Sequence, residues 1–165
     1  MNRKNLSPRM VRILKESHFA YLCTTDHNNQ SHITPMFYVF DEETKDILVF
    51  TYSKSKKMRN MRVNSNVCLT VDVRDPQNPF RNMGVMVQGK AIIEGPIHPF
   101  SITEDEKLMR IFKEFSNKYP VLTEIQGPTP LEYEAFTETL VKVRANKMVY
   151  WKGPHFVTVN FDHES

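Results

Sequence analysis

Five cationic side chains, Lys54, Lys56, Lys57, Arg59 and Arg62, fall within the nine residues 54–62, and no acid occurs between Asp46 and Asp72. Thr51, Ser53 and Ser55 set hydroxyls among them. Unpaired backbone N–H groups at a helix start favour an anion, and hydroxyl and ammonium groups add directional donors. A strand-ending Thr51 followed by Ser55-Lys56-Lys57 on a first helical turn therefore reads as a seat for one phosphate, built without glycines. Lysine serves there as a point charge. Two other readings compete on composition alone. A cationic run on a short helix is commonly a solvated face, and a patch of five charges can contact nucleic-acid phosphates. Against nucleic acid stand the sparse aromatic interleaving and a net charge of only +3.

Other reactive side chains offer less. Cys23 and Cys68 lie in apolar, strand-like runs, form no CxxC spacing, and read as buried, inert free thiols in a reducing cytoplasm. The six histidines show no HExxH or paired spacing, so no metal site is expected. Glu104, Asp105 and Glu106 read as helix-start charges rather than an acid/base pair. No GxGxxG occurs, and five glycines leave no Gly-rich nucleotide loop. No apolar run approaches ~18 residues, which excludes a membrane-spanning helix. MNRKNLSPRM lacks a following apolar stretch, against a secretory signal.

The elements that must hold the cationic stretch follow from pattern. Ser7-Pro8 starts a helix over 8–17. FAYLCTTD (19–26), SHITPMFYVFD (31–41) and DILVFT (46–51) form a meander of antiparallel strands. Met58 and Met61 mark the inner face of a short helix over 55–63, ended by Asn64-Ser65-Asn66. VCLTVDV (67–73) is a strand, DPQNPF (75–80) a loop, and GVMVQGKAIIEG (84–95) a long strand with Gly89 as a bulge. A helix over 103–118 carries Leu108, Met109, Ile111, Phe112 and Phe115, the two phenylalanines in its core. A shorter helix starts at Thr129-Pro130 and carries Leu131, Tyr133, Phe136 and Leu140. VKVRANKMVYW (141–151) is the last strand before a polar tail. These elements suggest one domain spanning 1–165, mainly β with peripheral helices: a six-stranded antiparallel barrel, closed or nearly so.

FAYLCTTD … SHITPMFYVFD … DILVFTYSKSKKMRNMRVNSNVCLTVD … GVMVQGKAIIEG resembles the pyridoxamine 5′-phosphate oxidase-like family, the FMN-binding split barrels. The resemblance covers about residues 8–95 and resumes at KMVYWKG (147–153), leaving 96–140, which has no family counterpart, as a helical insertion. It implies a homodimer with a flavin at the subunit interface. The family's phosphate segment falls on Thr51, Ser55, Lys56 and Lys57. Lys56 stands where the oxidases have Arg, a point charge in place of a fork. The strand contributing to the flavin ring and ribityl chain falls on His32, Ile33, Thr34 and Pro35, without the family's Arg, and the Phe50 backbone falls where it commonly faces the isoalloxazine. A family Gln falls on Gly84. The C-terminal segment GPHFVTVNFDHES does not reproduce the substrate-binding Arg and His of the pyridoxal-making enzymes, so another substrate is expected.

Trp151, the only tryptophan, reads either as packing at the barrel mouth or as a cofactor contact, and Tyr52 should point away from the side of Thr51. The expectation is a cytoplasmic flavoprotein that uses FMN to oxidise or reduce a small organic substrate, with no nucleic-acid or membrane partner. The same resemblance leaves open a deazaflavin coenzyme, and a non-catalytic flavin- or haem-binding role.

Overall fold

A computed structural model describes residues 6–96, 105–121 and 139–161. Helix α1 (Pro8–Glu16) is capped by the Ser7 side chain, which accepts from the Met10 N–H, with Pro8 at the first turn where it withholds no needed donor. Its apolar stripe of Met10, Ile13 and Leu14 is buried. Strands β1 (Ala20–Thr25) and β2 (Ser31–Met36) form a hairpin. A second hairpin joins β3 (Val39–Phe40) to β4 (Ile47–Thr51). Helix α2 (Lys56–Val63), β5 (Asn66–Val73), a 3-10 turn at Pro79–Arg81 and β6 (Met83–Pro96) follow. Helix α3 (Glu106–Lys118), β7 (Thr139–Lys152) and β8 (His155–Asn160) complete the order.

All strand pairings are antiparallel, along the path β2-β1-β5-β6-β7-β4-β3, with β8 added on β7. The two ends of that path, β2 and β3, are separated only by Phe37 and Tyr38. Two residues span little distance, so the sheet must curl until its ends approach. That is a split barrel, and Leu22, Val49, Leu69, Val71, Val85, Val87, Val141 and Val143 fill its inside. Met10, Ile13 and Leu14 of α1 join the same core.

Three strand expectations need correction. The run 31–41 is two strands, because the chain must turn at Phe37-Tyr38 to pass from one sheet edge to the other. Eight strands form among the described residues, where six are expected. The 141–151 strand is not the last: His155–Asn160 pairs with β7 residue by residue, despite its polar neighbours. Leu140 is also a strand residue, paired with Phe50, rather than the end of a helix. The remainder of the helix expected from Thr129, and the start expected at Thr103, lie outside the described residues.

Strand β4 reads ILVF because both of its faces are covered. Ile47 and Val49 point into the barrel, whereas Leu48 and Phe50 lie under α3. Phe50 stacks on Phe112 at 4.9 Å and meets Phe115 edge-on at 4.7 Å. Arg110 adds ion pairs to Asp41 (3.3 Å) and Glu43 (2.9 Å) in the turn before β4. At the other end of α3 the Tyr119 hydroxyl accepts from the Tyr38 N–H (3.0 Å) and lies 2.8 Å from the carbonyls of His18 and Tyr38, to one of which it donates.

Beside it, the Lys118 ammonium lies 3.7 Å from the Tyr38 ring centroid, buried and without a hydrogen-bond partner among the described residues. Burial pushes its pKa down from 10.5 to about 8. The unfolded chain therefore binds more protons between those values, and the stability lost to burying this amine returns as pH rises through them. Lys118→Met is expected to raise Tm at pH 7 by roughly a few degrees. The gain should shrink as the pH is raised through about 8 toward 10. A gain independent of pH in thermal melts would rule this account out.

Candidate functional site

The cationic stretch joins β4 to α2. Thr51 ends β4 with its side chain buried (4% exposed) and Tyr52 next to it is exposed, opposite sides as strand alternation requires. Ser55 caps α2: its hydroxyl oxygen accepts from the Met58 N–H at 3.4 Å. The N–H groups of Lys56 and Lys57 on the first turn have no intrahelical acceptor. Lys56 is exposed and Lys57 half-buried. Burial pushes the Lys57 ammonium below its ordinary pKa, and no ion-pair partner stands beside it among the described residues.

The two arginines have a different task. Arg59 donates to the Lys54 carbonyl (2.7 Å) and Arg62 to the Ser53 carbonyl (2.9 Å). Both fold back to pin the turn that precedes α2, so they shape the seat instead of filling it. Nothing in residue type distinguishes Arg59 and Arg62 from the lysines. Only the path of the turn gives them carbonyls to bind.

A buried polar relay fixes α2 against the hairpin. Asn60 (4% exposed) donates from its side-chain amide to Thr24 Oγ1 at 3.0 Å, and the Thr24 hydroxyl lies 3.5 Å from the His32 carbonyl on β2. Sequence reasoning missed both residues; an Asn at the third position after Lys57 shares the inner face with Met58 and Met61, and that placement is the available signal. His32 and Thr34 face inward, opposite Thr24 and Leu22, and His32 Nε2 is 3.1 Å from Thr34 Oγ1. Ile33 (64% exposed) and Pro35 face outward. Strand β2 pairs only with β1 among the described residues, so its free edge presents unpaired backbone groups.

The structure thus brings together Thr51, Ser55, Lys56 and Lys57 at one strand–helix junction, and ties that helix to the strand carrying His32, Ile33, Thr34 and Pro35. The Phe50 side chain points away from Thr51, into the cluster under α3. Trp151 is not brought to the junction. Thr51 pairs with Thr139 at the start of β7, whereas Trp151 lies near the other end of that strand. There its indole lies across Gly84, where any Cβ would collide with the ring atoms Cζ2 and Cη2. The glycine that stands in place of a family Gln is thus the space in which the tryptophan lies.

Cys23 and Cys68 are half-exposed on the outer face, not buried as expected, because each alternates with an inward Leu. No group of three or more His, Cys, Asp or Glu side chains that could hold a metal ion occurs among the described residues. No helix among them is long and apolar enough to cross a membrane.

Many solved structures share this fold. A haem-binding protein from Mycobacterium smegmatis superposes with a TM-score of 0.68 at 9% identity, covering 95% of this chain and 59% of that one. An FAD-binding protein from Mesorhizobium loti gives 0.59 at 17%, covering 87% and 92%. An F420 reductase gives 0.57 at 18%, covering 87% and 98%. No curated protein sequence gives a significant match. The family model described as pyridoxamine 5′-phosphate oxidase matches residues 6–152. With that match spanning most of the sequence and a split barrel beneath it, the chain belongs to the pyridoxamine 5′-phosphate oxidase family.

Proposed function

We propose that this chain is a flavoprotein that holds FMN at the β4–α2 junction and oxidises or reduces a small organic substrate. Lys57 carries this reading. A half-buried ammonium whose pKa burial pushes down, with no acid beside it, stands on a helix start whose N–H groups point outward. A phosphate there offsets the cost of burying the charge. Lys56 adds a second charge, and the Ser55 hydroxyl, which spends an oxygen lone pair on the cap, keeps its proton to donate. Thr51 is buried behind them, so its part is through the backbone or a small movement of its side chain. Arg59 and Arg62, already bound to carbonyls, hold the turn.

The free edge of β2 would meet the ring through its backbone between His32 and Pro35, and Phe50 would contribute backbone groups from β4. A bound flavin supplies the hydride or electron transfer, and the protein supplies position and electrostatics. The seat is open on its solvent side, where Lys56 and Tyr52 are exposed. A second protomer would close it, forming a homodimer in which Trp151 could reach the ring only from the other chain. We place this protein in the cytoplasm.

The test is the absorption spectrum of the native protein, with identification of the chromophore released on denaturation. A flavin spectrum and released FMN are expected. Colourless protein that fails to take up added FMN would refute the proposal, and a deazaflavin or haem spectrum would redirect it to the cofactors that the names of two fold neighbours carry.

A further inference from the structure

Cys23 on β1 and Cys68 on β5 are direct partners in the antiparallel register. Their neighbours Leu22, Thr24, Val67 and Leu69 are buried in the barrel, so both thiols stand on the outer face of the sheet. Residues directly opposite in an antiparallel pair have Cα atoms ~4.5 or ~5.5 Å apart, according to whether the pair exchanges hydrogen bonds. A disulfide accepts Cα separations of ~4.4–6.8 Å. Either pairing therefore suits a disulfide without moving the strands. Burial, and then the neighbouring Cys23, push the Cys68 thiol above its ordinary pKa. The lateral neighbours in the same row are Ile33 and Gln88. Neither offers a competing thiol or a metal-ligating group.

We propose that Cys23 and Cys68 are a thiol-redox site that closes to an intramolecular disulfide when the protein meets a peroxide. One thiolate attacks the peroxide; the O–O bond breaks, a sulfenic acid forms and one water leaves. The second thiol then displaces the sulfenic hydroxyl, the S–S bond forms and a second water leaves, so two thiols are oxidised by one two-electron oxidant. A link across two paired strands at the surface is exposed to thiols and so reducible, which makes the site reversible. The bond would lock β1 to β5 and enclose β2, β3, β4 and α2 between its ends. Thr24, the next residue after Cys23, holds Asn60 of α2, so the oxidised state would stiffen the strand that anchors that helix.

The test treats the native full-length chain with hydrogen peroxide, blocks free thiols by alkylation, and measures intact mass and cross-linked peptides. A loss of about 2 Da, no alkylation, a Cys23–Cys68 peptide and recovery of both thiols with dithiothreitol are expected, together with a higher Tm of the oxidised form. Cys68→Ser should halt the sequence at a sulfenic acid on Cys23 that dimedone traps, with no 2-Da loss. The inference is overturned if both thiols of the wild-type protein stay open to alkylation after peroxide, if they pass to sulfinic acid without a cross-link, or if the bond formed joins two chains. The wild-type measurement decides the matter even where a serine variant fails to fold.

Discussion

Replacing Lys56 and Lys57 together by alanine is expected to weaken FMN binding by about ten- to a hundredfold, and riboflavin binding by much less. The size follows from the interactions removed. A hydrogen bond to a charged group contributes ~1.5–3 kcal/mol, and each ~1.4 kcal/mol is tenfold in affinity. Lys57 should dominate: it is the half-buried member, and burial already disfavours its charge in the absence of an anion, so a phosphate has most to restore there. Lys56 is exposed and more screened. The comparison with riboflavin separates phosphate recognition from damage to the barrel, because the two ligands differ only in the phosphate. Titrations followed by flavin fluorescence measure both. Equal losses for FMN and riboflavin would mean that the lysines do not read the phosphate.

Gly89→Ala is expected to destabilise the protein by about 3 kcal/mol or more, a fall in Tm on the order of 10 °C. The β6–β7 register shifts between Gln88 and Gly89, where Gln88 pairs with Lys147 but Gly89 with Ala145. Asn146 is the extra residue, and its carbonyl accepts from the Phe161 N–H at 2.8 Å. The bulge presses β7 onto Gly89. A Cβ there would overlap the carbonyl oxygen of Arg144, 2.7 Å from its carbon and 3.0 Å from the Ala145 Cα. All three are backbone atoms, so no side chain can swing aside. Relief requires opening the bulge, which would turn the faces of one strand relative to the other and expose Val141, Val143 or Met148, all fully buried. Thermal melts with Tm within a degree or two of wild type would show that the close approach is not what fixes the register.

The fold was largely legible in the chain because its signals are local. Ser7-Pro8 and Ser55 cap the helices that follow them, as their side chains allow, and Gly89 falls at a register shift. The misreadings share a cause. Strand His155–Asn160 is exposed at nearly every position although it carries Phe156, Val157 and Val159, so it buries no inner face to mark it, and its existence rests on pairing with the adjacent edge of β7 across the two-residue turn Gly153-Pro154. The break at Phe37-Tyr38 arises because the sheet curls, not because those residues dislike a strand. Cys23 and Cys68 sit in apolar runs, but in a half-covered strand alternation outranks average hydrophobicity, and both landed on the outer face.

For the site, residue type and order alone determined that Thr51, Ser55, Lys56 and Lys57 would stand at one strand–helix junction, because all of them lie within seven residues and a cap fixes where the helix begins. Tertiary structure alone decided which of the cations remain without partners, since Arg59 and Arg62 find carbonyls only once the turn is formed. It likewise decided that Asn60 and Thr24 would link the helix to His32, and that Trp151 would lie over Gly84 away from the junction in its own chain. The Asn60–Thr24 and Trp151–Gly84 relations join residues tens of positions apart. They depend on register and sheet curvature, which are set by the packing of the whole barrel and leave no mark on any short stretch of sequence.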